Sequence, residues 1–194
     1  MQPKRLHLAR AALFCCDIQE KLRNNIFMFP HVAYTASSLI KVGKVLDIPL
    51  IVTEQYSKGL GKTVADLDVS SGRVFEKGQF SMMTPEVTAE LENLGKSQII
   101  LFGIEAHVCI SQTTLDLLES GKDVFLVSDG ISSSTPIERS AAFARLQQAG
   151  AVVTSLGSVL MELIKTKDHP QFKQISQMLK ESKVNTPPEQ LSSL

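Results

Sequence analysis

The sequence predicts an α/β protein, a parallel sheet covered on both faces by helices so that the layers run α/β/α. Six short apolar or β-branched runs alternate along the chain with longer segments of helical period, the pattern of strands joined by crossover helices. The helical segments are punctuated as helices should be, two opening on Thr-Pro and several stopping at glycine. A chain of 194 residues that is 43% hydrophobic can build one sizeable core and is short for two, which predicts a single domain over residues 1–194.

The elements follow in order. AALFCC (11–16) is apolar throughout and reads as a central strand, and HVAYTASSLIKVGKVLD (31–47) as the helix that leads to the second strand, PLIVTE (49–54). SGRVFE (71–76) is the third strand, followed by the Thr-Pro helix TPEVTAELENLG (84–95). SQIILFGI (97–104) is a second fully apolar strand and runs into HVCISQTTLDLLESG (107–121), a helix ending at glycine. DVFLVSD (123–129), TPIERSAAFARLQQAG (135–150) and AVVTSLG (151–157) repeat the strand–helix–strand unit. Two weaker helices, SVLMELIK (158–165) and HPQFKQISQMLKE (169–181), close a core of about 10–180, and SKVNTPPEQLSSL (182–194) has the composition of a frayed end.

Composition narrows the function. Twenty basic residues balance twenty acidic ones, so the chain lacks the positive excess that drives binding to nucleic acid, and a small molecule is the expected partner. Three cysteines, two of them adjacent, make no disulfide framework, which fits a reducing, cytoplasmic setting. The opening MQPKRLHLAR is basic and free of acids and leaves mitochondrial targeting open, although a strand begins directly after it. No apolar run reaches the roughly 18 residues of a membrane helix, so no membrane partner is expected.

Ligands of an open parallel sheet bind beyond the carboxyl ends of its strands. Strand one ends in Asp17, with Gln19 next. Strand two ends in Glu54, Gln55 and Tyr56, strand three in Lys77, and strand four runs into Glu105, His107 and Cys109. An acid, an amine and a thiol therefore meet at one rim. Each has a plainer use: Cys109 as core filler, Asp17 as the N-cap of a short helix from Ile18, Lys77 as a surface amine. Position favours chemistry for Cys109, because the first turn of a helix stabilises a thiolate and its N–H groups can hold an oxyanion. Cys15 and Cys16 read as mid-strand residues in packing layers, with no catalytic part. His107 stands two residues from the thiol, a spacing that makes no Cys/His dyad, and reads as a helix start or a substrate contact. His7, His31 and His169 form no metal-ligand spacing, so no metal or other cofactor is expected.

The phrases LFCCDIQEKLR, IVTEQYSKGLG, EKGQFSM, GIEAHVCI and TTLDLLESG, with the later HPQFKQI, occur in an order that resembles the isochorismatase-like cysteine hydrolases over about residues 10–180. The resemblance is strongest to the branch of isochorismatase domain-containing protein 2. It implies a Rossmann-like, six-stranded parallel sheet in the order 3-2-1-4-5-6, a cis peptide joining Ile104 to Glu105, and a homo-oligomer. It also implies Asp17, Lys77 and Cys109 as a catalytic triad. Asp17 would take the proton of Cys109, the thiolate would attack a carbonyl, and the N–H groups of Glu105 and Cys109 would form the oxyanion hole. Lys77 would hold Asp17. Release of an amine and hydrolysis of a thioester would complete cleavage of an amide or related C–N bond. Gln55, Tyr56 and Phe80, with Gln19, Glu105 and His107, would surround the substrate.

Departures from the family matter as much. Nicotinamidases carry metal-binding histidines after strand two, whereas EQYSKGLGK has none, so neither a metal nor nicotinamide as main substrate is expected. Enzymes that cleave isochorismate often lack the cysteine, so Cys109 points to the amidase-like side. Glu105 stands where many relatives have a small residue, and would repel acidic substrates or bind an amine. Two other readings stay open: a ribonuclease, as some protozoan relatives are labelled, and a partner-binding protein with the family fold and little turnover.

Overall fold

The computed structural model describes residues 4–184 of the chain. One six-stranded sheet organises them, all parallel, in the order β3-β2-β1-β4-β5-β6. The strands are β1 (Ala11–Cys16), β2 (Leu50–Gln55), β3 (Arg73–Lys77), β4 (Gln98–Ile104), β5 (Asp123–Ser132) and β6 (Val152–Thr154). Every residue of β1 and β4 is buried, which is why these two runs carry no polar alternation. They pair in the middle of the sheet, Ala11 opposite Gln98 through Cys16 opposite Gly103.

The helices are α1 (Phe29–Leu46), α2 (Ser57–Leu60), α3 (Pro85–Leu94), α4 (Ser111–Glu119), α5 (Pro136–Gln148), α6 (Leu156–Ile164) and α7 (Phe172–Val184). α1, α6 and α7 touch one another, α4 and α5 form a second group, and both groups lie against β5, so the sheet is covered twice. The Thr-Pro openings act as caps: the Thr84 hydroxyl accepts the Val87 N–H and that of Thr135 accepts the Glu138 N–H. Each such cap contributes about 1 kcal/mol, with proline filling the first position where no N–H is needed. Phe14, Phe29, Phe102 and Phe125 are among the largest fully buried side chains, each worth roughly 1.5–3 kcal/mol of burial.

The sequence reading and the structure differ at element edges. β5 runs three residues beyond Asp129, because a register shift between Leu101 and Gly103 lets Ile131 and Ser132 pair with the end of β4. α2 is a single turn with no periodic signal, and β6 shrinks to three residues. α7 continues through residues 182–184, the start of the stretch read as a frayed end; the rest of that stretch lies outside the described residues. Among the described residues no helix is long and apolar enough to cross a membrane.

Candidate active site

The carboxyl ends of β1, β2, β3 and β4 bring the chemistry together, as the rule for parallel sheets requires. β1 stops at Cys16, and Asp17 turns the chain away with φ 50°. That turn excludes the N-cap reading of Asp17: no helix starts at Ile18, and the next helical turn, Glu20–Leu22, has Gln19 at its cap position. Asp17 is 2% exposed, and its carboxylate is fully engaged. Oδ1 accepts the Thr53 hydroxyl at 2.8 Å, while Oδ2 faces Lys77 Nζ at 2.8 Å and Cys16 Sγ at 3.5 Å.

Lys77 closes β3, paired in register with Gln55 at the end of β2. Besides Asp17, its ammonium reaches Gln55 Oε1 at 2.6 Å, the carbonyl of Phe80 at 2.8 Å, that of Gln79 at 3.2 Å, and Cys109 Sγ at 3.6 Å. Burial works against this charge, but the attraction of Cys16, Asp17 and Cys109 and the hydrogen bond to Asp17 outweigh it, so the ammonium is held above the ordinary lysine range. It is a fixed cation between a carboxylate and a thiol. The surface-amine reading of Lys77 is thereby excluded.

Cys109 sits in a wide turn, Ala106–Ile110, which precedes α4 and in which the Ile110 N–H reaches back five residues to the Glu105 carbonyl. The peptide bond between Ile104 and Glu105 is cis. Thr113, in the first turn of α4, accepts the Met82 N–H at 2.8 Å and donates to the Cys109 carbonyl at 2.6 Å. It ties the loop after Lys77 to the turn that carries the thiol.

Gly103 makes the approach of β1 to β4 feasible beside this turn. Its φ is 124°, and a Cβ there would stand 2.1 Å from the Cys16 carbonyl oxygen. Gly103→Ala is expected to cost about 3 kcal/mol through overpacking and positive-φ strain. In a thermal melt this reads as a Tm lowered by roughly 6–12 °C for a chain of this size. An unchanged Tm would show that β1 and β4 can separate there freely.

Cys16 corrects the sequence reading. It was expected in a packing layer, yet it is the last residue of β1, and its sulfur, that of Cys109 and an Asp17 oxygen all lie within 4.8 Å of one another. Side chains alternate along a strand, so Cys15 faces the other side, where burial, then Asp17, push its thiol well up. Burial, then Cys109 and Asp17, also raise the Cys16 thiol well above its ordinary range, against the pull of Lys77. By distance, the two thiols and the carboxylate are a donor set for a soft cation, but Lys77 already supplies the positive charge there.

The remaining predicted residues divide into supports and rim. Gln19 is 0% exposed and spends its amide on β2 and the following loop: Oε1 accepts the Gln55 N–H, and Nε2 donates to the carbonyls of Gln55 and Gly61. Gln55 is spent on Lys77 and, through Nε2, on the Gly78 carbonyl. Tyr56 and Phe80 stand open at the rim, 60% and 51% exposed. Glu105 accepts the Ser134 N–H at 2.8 Å, and His107 lies between Ser133 Oγ at 3.0 Å and Glu138 Oε1 at 3.4 Å. Sequence reasoning missed Thr53, Thr113, Ser133 and Glu138. Thr53 carried a usable signal, being the first polar residue after the apolar start of its strand.

Comparison with known proteins bears on the family and the fold. A family model for the isochorismatase domain matches residues 11–158. The chain is 43% identical over 176 residues to isochorismatase domain-containing protein 1 of Salmo salar, covering 90% of this chain but 62% of that protein's length. It is 41% identical over 172 residues to isochorismatase domain-containing protein 2 of Xenopus laevis, covering 88% and 84%. Among solved structures it is similar to a Caenorhabditis elegans protein named MAR1 ribonuclease, with TM-score 0.88, 42% identity and coverage of 91% and 93%. It is also similar to YcaC from Pseudomonas aeruginosa, solved with hexane-2,5-diol and covalent acrylamide, with TM-score 0.85, 27% identity and coverage of 95% and 96%. With the domain model spanning most of the sheet and relatives above 40% identity matched along most of its length, this chain belongs to the isochorismatase family.

Proposed function

We propose that the protein is a cysteine-dependent hydrolase that cleaves a small amide or related C–N bond through a thioester on Cys109. The observation that carries this reading is one buried cation, Lys77, bridging a carboxylate at 2.8 Å and a thiol sulfur at 3.6 Å. Such a cation favours the thiolate, and the carboxylate can take its proton. Attack forms the C–S bond, and the oxyanion is held by the N–H groups of Glu105 and Cys109. The amine leaves with a proton delivered through Asp17. Asp17 then takes a proton from water, which attacks the thioester and frees the acid and the thiolate. These steps need no cofactor.

Tyr56 and Phe80 would give the substrate apolar walls, and Glu105 with Glu138 would disfavour an acidic one. His107 is the polar contact between them. Gln19 and Gln55 act on the substrate only through the backbone and Lys77 that they hold. The covalent acrylamide of Pseudomonas aeruginosa YcaC is in keeping with a nucleophile in this fold. Further copies of the chain are the proposed partners, since Val74 on the edge strand β3 and Ile137 on α5 leave large apolar side chains at the surface. A ribonuclease reading, raised by the name of the C. elegans relative, has less support: the chain's charges balance, and the ammonium nearest the thiol is already committed to Asp17.

Incubation with a panel of small neutral and amine-bearing amides tests the proposal. Amine release is expected, faster for these than for acidic analogues, and pre-treatment with iodoacetamide should stop it by labelling Cys109 before Cys15 or Cys16. Cleavage of RNA with no amide turnover would overturn the reading.

A further inference from the structure

Cys16 has no part in the hydrolysis just described, yet its sulfur lies within 4.8 Å of the nucleophile's. We propose that Cys16 and Cys109 form a reversible intramolecular disulfide when the protein meets a peroxide, which makes Cys16 a resolving thiol and the active site a redox-sensitive one. The inference rests on Cys109 being a reactive thiolate, as the proposed function requires.

Access sets the order of events. Cys16 is 0% exposed and Cys109 is 7% exposed, so a small oxidant reaches Cys109 first. Lys77 Nζ, 3.6 Å from Cys109 Sγ, favours the thiolate that peroxide attacks. That sulfur displaces hydroxide from the O–O bond of hydrogen peroxide. The hydroxide takes a proton and leaves as water, and Cys109 is left as the sulfenic acid, oxidised by two electrons.

The second step uses a contact idle in hydrolysis. Cys16 Sγ lies 3.5 Å from Asp17 Oδ2, an acceptor for its proton as the sulfur attacks the sulfenic sulfur of Cys109. The S–S bond forms, the S–O bond breaks, and hydroxide departs with the proton from Asp17 as water. The sulfurs must close from within 4.8 Å to about 2.05 Å. Cys15 cannot substitute, because it faces the other side of the sheet. The disulfide occupies the nucleophile and shields it from sulfinic and sulfonic acid, which are not restored by thiols.

The test is oxidation of the purified protein with a small excess of hydrogen peroxide. Free thiols are then blocked with N-ethylmaleimide, and the protein is digested without reduction. The expected result is the loss of two hydrogens from the intact protein and a cross-link between the peptide 11–21 and the peptide holding Cys109, with fragmentation assigning it to Cys16. Dithiothreitol should restore the free thiols in full. Cys16→Ala should lose the cross-link and instead gain two or three oxygens on Cys109. Sulfinic acid on Cys109 in the wild-type chain, formed as fast as in Cys16→Ala and without cross-link, would overturn the proposal. So would a cross-link through Cys15 or between two chains. If Cys109 reacts with iodoacetamide and never cross-links, the redox proposal alone falls; if it resists both reagents, the hydrolase reading falls with it.

Discussion

Cys109→Ala is expected to reduce amide turnover by roughly 10,000-fold or more, because it removes the atom that bonds to substrate and not a group that assists it. The fold should survive. Deleting one sulfur from a buried site costs on the order of 1 kcal/mol, and the turn that carries it is held by backbone and Thr113 contacts that alanine keeps. Asp17→Asn should approach the same loss, about 100- to 10,000-fold, since an amide cannot take the thiol proton or activate the later water. The check is kcat/KM on the best amide, beside a thermal melt of each variant. A Cys109→Ala protein that turns over at the wild-type rate would remove the thioester and leave hydration through Asp17, or another site, as the chemistry.

The second large effect concerns stability. The Lys77 and Asp17 side chains are 0% and 2% exposed, so Lys77→Met leaves a carboxylate buried without its counter-ion and strips the Phe80 and Gln79 carbonyls of their donor. Breaking a buried pair from one side costs roughly 3–5 kcal/mol. The Tm should fall by about 6–20 °C. Asp17→Asn combined with Lys77→Met should recover part of this, because no lone charge remains, with a coupling of about 1 kcal/mol or more. Activity should stay lost in the double variant. That separates an electrostatic pair from general damage: a double variant whose loss is the sum of the two single losses would mean that the two charges do not act on one another.

The fold was legible because its signals are local and repeated. β1 and β4 are continuous apolar runs, and α3 and α5 carry Thr-Pro caps whose hydroxyls make the expected bonds. The order of the strands came only from the resemblance to a known family, because hydrophobic pattern does not say which strands are neighbours. At the site, strand ends alone placed Asp17, Lys77 and Cys109 among the candidates and the resemblance singled them out; the structure brings their charged and sulfur atoms within contact. What could not be read was the use of each side chain. Gln19 and Gln55 look alike at strand ends, and only the register shows that both are spent on holding the backbone and Lys77. Cys16 was misjudged because a fully apolar run hides where it ends. One residue later the chain turns at Asp17, which makes Cys16 the top of the strand and a neighbour of Cys109. Thr113 was hidden for a related reason, since its partners Met82 and Cys109 meet it only through the tertiary fold.

The central claim is that Cys109 carries the acyl half of the substrate during turnover. Rapid acid quenching of the wild-type protein with its best amide, followed by peptide mass analysis, tests it most directly. The predicted result is an acyl mass on the peptide holding Cys109 that appears with the first amine released, is removed by hydroxylamine, and is absent from Cys109→Ala. Steady amine release with that peptide unmodified at every quench time, and undiminished in Cys109→Ala, would contradict it.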